Sequence, residues 1–321
     1  MKINVLAENL KKGVSICMRG VSARAQLPIL STILLKASKE GVVLSATDLE
    51  LSFRVKVRAK VSEEGEIAVP AKLFSDLVAT LPVGVVDLSD KKQTLIIEGE
   101  KVRAEVVGQS SEEFPALPKT KGKGLEIDVA ELVEKVERVG IAAAKDDARP
   151  ILAGVLWIFD KKRITLAATD GYRLGVDYFK NDAAETAGDT QKFVLPVRAL
   201  MELTRVLEPA MKTVKVEFDN DKQQVIFQAD DIEMSSRLIA GEFPPYTKVI
   251  PTEKKITVVI DKEALMEAVK RASLFARDSA NVVKLAVSEG GVAVTAQSDQ
   301  MGGSQTTIEA EVEGDEVTIA F

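Results

Sequence analysis

The chain has 321 residues, 46% of them hydrophobic and 29% charged, with a net charge of −6. That length exceeds what one core supports, so two or three domains are expected, and the overall acidity confines any nucleic-acid contact to a local basic face. The absence of histidine removes the commonest general base and zinc ligand, and the lone Cys17 leaves no internal disulfide, which fits a cytoplasmic setting.

Neither a membrane-length apolar run nor a signal-peptide core is present, and no P-loop, GxGxxG or GxSxG pattern occurs. The first strand is the alternating stretch Lys2–Leu6. An amphipathic helix over roughly 8–20 follows, with Cys17 on its apolar face beside Leu10, Val14, Met18 and Val21. Strands Ile33–Ala37 and Val42–Ala46 flank a turn at Lys39-Glu40-Gly41. A second helix starts at Pro70, stops near Pro82 and turns Leu73, Phe74, Leu77 and Leu81 to one side. Strands Thr94–Glu98 and Val102–Val107 complete the unit.

The same order then recurs. Strand Leu125–Val129 precedes a helix over 130–142 that opens on a capping box, Asp128 with Glu131. A helix from Pro196 to near Pro209 presents Leu200, Met201, Thr204 and Leu207, and strands Val214–Phe218 and Gln224–Ala229 follow. A third copy begins with strand Ile256–Ile260 and a helix over 262–276 capped by Asp261. GVVLSATD, RITLAATD and GVAVTAQSD place Ala46, Ala168 and Ala296 in register, and the Phe-Pro segments at Phe114 and Phe243 close the first two copies. Each complete copy holds two helices and about eight short strands, an α+β design with helices on one side of antiparallel sheets. Gly- and Lys-rich Lys119–Gly124 and Pro251–Lys255 read as linkers, which divides the chain at 1–122, 123–252 and 253–321. The third copy stops where its proline-started helix is expected, so its second half is missing from the pattern.

LPILSTILL, ATDLELS, VPAKLFSDLVATLP, EEFPALP, RPILAGVL, ATDGYRLGV, FVLPVRAL, SRLIAGEFPPYTKVIP and EALMEAVKRASLF, in this order, resemble the bacterial DNA sliding clamps, the beta subunit of DNA polymerase III. The resemblance covers the whole chain. It implies three tandem DNA-clamp-type domains, the third incomplete, that pair head to tail into a homodimeric ring. Helices would line the hole, and duplex DNA would pass through without sequence readout. It also implies partners: the polymerase III catalytic subunit, a clamp loader and other proteins with a clamp-binding motif. No cofactor, metal or catalytic residue is implied.

Sequence-indifferent attraction needs cations aimed at phosphates. The helices offer Lys12, Arg19, Lys72, Lys135, Arg138, Arg198, Arg205, Lys270 and Arg277, and the resemblance singles out Arg24, Arg149 and Arg198. It assigns the partner pocket to Leu152, Thr169, Gly171, Tyr172, Arg173, Leu174, Pro244, Lys248 and Val249; without it, Leu152, Leu174 and Val249 read as core. The family's Met-Pro-rich C-terminus, which completes that pocket, is absent here. The resemblance places the ring joint at Ala104 and Val106 on one side and Leu274 and Phe275 on the other, although Phe275 reads equally as core. The shortened third domain is expected to fray and to weaken the ring.

Two rivals remain at this level. Asp48, Asp170 and Asp299 raise a metal-dependent phosphoesterase, but equivalent positions in separate repeats lie far apart, and a turn-capping role fits them better. The second rival is a clamp-derived fragment that binds partners without encircling DNA.

Overall fold

The computed structural model describes residues 1–22, 27–120, 124–146, 148–160, 162–180, 191–219, 223–277 and 280–321. It forms two compact units, Met1–Pro244 and Pro245–Phe321.

The first unit opens with β1 (Lys2–Leu6), α1 (Ala7–Cys17), β2 (Thr32–Ser38), β3 (Gly41–Thr47), β4 (Leu51–Val57), β5 (Ala59–Glu63) and β6 (Gly65–Pro70). Next come α2 (Ala71–Thr80), β7 (Val85–Lys91), β8 (Thr94–Gly99) and β9 (Val102–Val107). The order repeats as β10 (Leu125–Asp128), α3 (Val129–Gly140), β11 (Gly154–Phe159), β12 (Arg163–Thr169), β13 (Leu174–Lys180), β14 (Gln191–Pro196), α4 (Val197–Val206), β15 (Thr213–Asp219), β16 (Gln224–Ala229) and β17 (Ile232–Arg237). The second unit holds β18 (Ile256–Ile260), α5 (Lys262–Ala276), β19 (Lys284–Ser288), β20 (Gly291–Ser298), β21 (Gly302–Gly314) and β22 (Val317–Ala320).

Local chemistry sets the boundaries. Asp128 and Asp261 accept the backbone N–H of Glu131 and Ala264 at 2.9 and 2.7 Å, the N-caps expected of α3 and α5. Gly41 takes φ +123° at the tight turn between β2 and β3, a conformation open to glycine. Pro70 and Pro196 do not sit inside α2 and α4 as the sequence predicts. Each is the last residue of an edge strand and caps the helix that follows, with φ −54° and an extended ψ. There the missing N–H costs no ladder hydrogen bond.

Four antiparallel sheets result, ordered β5-β1-β7-β8-β9, β10-β15-β16-β17-β4-β3-β2-β6, β13-β12-β11-β14 and β18-β21-β20-β19-β22. In the first repeat α1 buries Leu10, Val14 and Cys17; burial also pushes the Cys17 thiol far up. In the second, α3 buries Leu132, Val136 and Val139 at the same spacing, and Trp157 stacks between Phe159 and Phe179. The third copy has its own core, in which Ala268, Ala272 and Ala276 of α5 meet Val292, Val294, Ala296 and Ile308.

The sequence does not reveal that the second sheet joins two repeats. β4 pairs antiparallel with β17, from Leu51↔Ser236 to Val55↔Ile232. Two further backbone bonds, Lys56 to Asp231 and Arg237 to Glu50, extend the seam at 2.8 and 2.9 Å. Two edges that would otherwise expose unpaired N–H and C=O groups satisfy each other.

Candidate DNA-facing and partner-binding surfaces

Most of the cations singled out on the helices are already engaged. Lys12 pairs with Glu208 at 2.8 Å, Arg19 with Glu202 at 2.7 Å and Arg198 with Asp48 at 3.0 Å, each across the joint between the first two repeats. Arg205 also reaches Glu202. Lys72 pairs with Asp76 one turn away at 2.9 Å. Lys135 lies 3.3 Å from Glu131 and 3.4 Å from Asp177, while Arg138 lies 2.9 Å from Asp177 and also meets Glu134. Burial opposes ionisation of Asp177, but the Tyr178 N–H and the Lys135 and Arg138 charges outweigh it and hold the carboxyl below its usual range. Arg149 Nη2 donates to the carbonyl of Asp170 at 3.0 Å. Lys270 and Arg277 have no carboxylate partner among the described residues, and Arg24 lies outside the described residues.

Lys12–Glu208, Lys72–Asp76 and Arg138–Glu134 are exposed on both sides and so worth about 0–1 kcal/mol each, whereas Asp48, Asp177 and Glu202 are largely buried beneath the cations they hold.

The residues assigned to the partner pocket fall in two groups. Thr169 Oγ1 donates to the Arg173 carbonyl at 2.7 Å and accepts the Gly171 N–H at 3.0 Å. Asp170 accepts the N–H groups of Tyr172 and Arg173 at 2.9 and 3.0 Å and pairs with the Arg173 guanidinium. Against the cost of burial, these donors hold its carboxyl below the usual range. Gly171 has φ +95°, and a Cβ there would stand 3.4 Å from Arg149 Nη1. The turn thus projects Tyr172, 97% exposed, directly before Leu174 opens edge strand β13. Leu152 is buried in the adjoining 3-10 turn, whose Arg149 grips the same loop. Pro244 is exposed at the end of the first unit, and Lys248 and Val249 are exposed in the second.

The residues assigned to the ring joint need one correction. Val106 is 1% exposed, so its side chain belongs to its own domain's core; the apolar side chain standing free on β9 is Val107, at 73%. Alternation along the strand forces this, since Val106 pairs with core Leu95. Ala104 is half-buried on the same edge strand. Leu274 is 54% exposed, whereas Phe275 packs against the core under α5.

Asp48 accepts the N–H groups of Glu50 and Leu51 at 3.0 and 2.7 Å, as Asp170 does in its own turn. In the third copy this role belongs to Ser298, which accepts from Gln300 and Met301 at 3.3 and 3.2 Å, and not to Asp299. These carboxylates cap turns. No group of three or more metal-ligating side chains of the His, Cys, Asp or Glu type occurs among the described residues.

Three family models match in succession: the N-terminal domain of the DNA polymerase III beta subunit over residues 1–118, its central domain over 126–245 and its C-terminal domain over 247–321. The chain belongs to the beta sliding clamp family. The beta sliding clamp of Synechocystis is 32% identical over all of this chain and 88% of its own length; that of Bacillus subtilis is 29% identical over all of the chain and 87% of its own. The crystal structure of the Bacillus subtilis DNA polymerase sliding clamp superposes with a TM-score of 0.92 at 29% identity, covering all of this chain and 87% of that one. The DNA polymerase III beta subunit from Thermotoga maritima gives 0.89 at 28%, covering all of this chain and 86% of that one. The three repeats are accordingly clamp domains, and a sliding clamp is an accessory subunit and not an enzyme. No described helix is long and apolar enough to cross a membrane.

Proposed function

We propose that this clamp closes head to tail with a second copy around duplex DNA in the cytoplasm. There it tethers the polymerase III catalytic subunit and is served by a clamp loader and other motif-bearing partners through the loop at Thr169–Leu174. The supporting observation is the joint between β4 and β17. It shows how one clamp domain meets the next: edge to edge and antiparallel, with Ser52 and Ser235 hydroxyls 2.6 Å apart and Arg54 paired with Glu233.

Two comparable edges remain open. β9 is the counterpart of β17 and lies at the edge of its sheet. Residues 302–309 of β21 are the counterpart of β4 and pair only with β20 on one side. Copying the internal register onto these edges sets Arg103 opposite Gln305, as Glu233 lies opposite Arg54. The side chains assigned to this joint, Ala104, Leu274 and Phe275, would then flank a backbone seam. Arg24, Arg149, Arg198 and the helix cations would face the phosphates.

Light scattering over a concentration series tests closure. The expected mass is twice the 34.7 kDa of the chain. With Arg103→Cys and Gln305→Cys in one chain, a short thiol-reactive cross-linker should yield covalent dimers, and moving the second cysteine to Glu309 should abolish them. A mass of one chain throughout, with no cross-linking at either position, would favour the fragment that binds partners without encircling DNA.

A further inference from the structure

The helix cations of the first two clamp domains stand over recessed carboxylates. Asp177 on β13 lies under Lys135 and Arg138 of α3. Glu202 of α4 lies between Arg205 and Arg19, the latter just past α1. Asp48, in the turn after β3, lies under Arg198 of α4. The three acids keep 12, 17 and 10% of their side chains exposed, whereas Arg138, Arg205 and Arg198 keep 58, 58 and 63%. In each pair the acid is therefore on the inner side and the guanidinium on the outer. The helices involved form one surface. Lys12–Glu208 and Arg19–Glu202 bridge α1 to α4, and a Cβ on Gly140 of α3 would stand 3.2 Å from Val197 of α4.

The repeat itself shows that the fold does not require these charges. Leu44 faces Val55 in the first copy as Leu166 faces Asp177 in the second, so Val55 is the counterpart of Asp177. Gly13 precedes Val14 on α1 as Lys135 precedes Val136 on α3. In the first copy this place is apolar: a Cβ on Gly13 would stand 2.8 Å from Val57 and 3.0 Å from Leu44. In the second it holds a cation over an acid. A buried carboxylate carries a desolvation cost that an apolar contact does not, so packing alone does not explain Asp177. The second helices differ in the same sense. Lys72 and Asp76 of α2 pair with each other, whereas their counterparts on α4, Arg198 and Glu202, reach across the joint to Asp48 and Arg19.

We infer that Asp177, Glu202 and Asp48 are positioning residues that set how tightly the clamp grips DNA. The inference rests on the reading above, in which the helix cations face phosphates. Each acid holds its guanidinium from the inner side, so the outer edge stays ordered and available. Each also cancels part of the charge that a phosphate meets. Electrostatic grip grows with the number of phosphates neutralised, so acids placed under the cations weaken it without removing a single contact. A weak grip that ignores sequence is what a ring travelling along duplex DNA needs.

The test is anisotropy of a short labelled linear duplex titrated with the full chain over a salt series, which needs no closed ring. Asp177→Asn, Glu202→Gln and Asp48→Asn should each tighten binding at least about threefold at low salt and steepen the fall of log K with log salt by up to about one phosphate's share. Asparagine at position 48 keeps the acceptor that caps Glu50 and Leu51, so this variant folds even where another does not. Glu113→Gln removes the same charge beside Phe114, which packs on the sheet face away from α1, and should change binding far less. Unchanged or weaker binding in folded acid variants would overturn the inference and leave the carboxylates a packing role. Equal tightening by Glu113→Gln would also overturn it, since net charge alone would then be at work. Arg198→Gln with Arg205→Gln should weaken binding; no effect there would mean that the helices do not meet phosphates, and the underlying reading would fail together with the inference.

Discussion

Arg149, Arg198 and Lys12 show how a side chain's partners redefine it. Sequence reading places Lys12 and Arg198 toward DNA as helix cations, and the family resemblance places Arg149 there and supports Arg198; the fold places Arg198 and Lys12 on carboxylates of the neighbouring domain and Arg149 on a loop carbonyl. No spacing rule announces those partners, since Lys12 and Glu208 are 196 positions apart. Turn chemistry, by contrast, is local and legible: Asp48 and Asp170 cap the residues that follow them, as residues with short side-chain acceptors do. The third copy misleads the eye because an aspartate follows the serine that does the work. Ser298→Ala should cost about 1 kcal/mol and speed amide exchange at Gln300 and Met301, whereas Asp299→Ala should stay within about 0.5 kcal/mol. Equal effects of the two substitutions would restore Asp299 to the role.

At the scale of elements, periodicity locates the helices because each buries one stripe. The Leu10, Val14, Cys17 and Leu132, Val136, Val139 spacings are the same pattern read twice. What periodicity omits is which strand edges meet. β4 and β17 alternate like any half-buried strand, and their pairing joins residues as far apart in sequence as Ser52 and Ser235, 183 positions. The joint carries a charge pair that is sensitive to its surroundings. Burial raises the Glu233 carboxyl above its usual value despite Arg54, with Lys56 also lowering it and Glu217 adding to the rise. Arg54→Met removes the nearest compensating charge and should destabilise the first unit by about 1–3 kcal/mol in denaturant unfolding. Adding Glu233→Gln should recover much of the loss. A double variant no more stable than Arg54→Met would mean that the pair is incidental to the joint.

For the whole molecule, the repeat is legible because each copy must solve the same packing problem with the same residues. The family follows from the order of those segments over the full chain. Assembly is less legible, because edge strands look alike whether they are paired or free. The internal joint supplies what the sequence lacks, a worked example of one clamp domain docking on another, which the proposed ring would repeat between β9 and β21. Closure should hold DNA by topology more than by charge, since the helix cations largely have carboxylate neighbours.

The most direct measurement uses the Arg103→Cys, Gln305→Cys chain assembled with nicked circular DNA and then cross-linked. The protein should remain on the circle in high salt, where screened contacts to phosphate fail, and should leave once the circle is cut. Release from intact circles as fast as from linear DNA, with cross-linking complete, would contradict the ring.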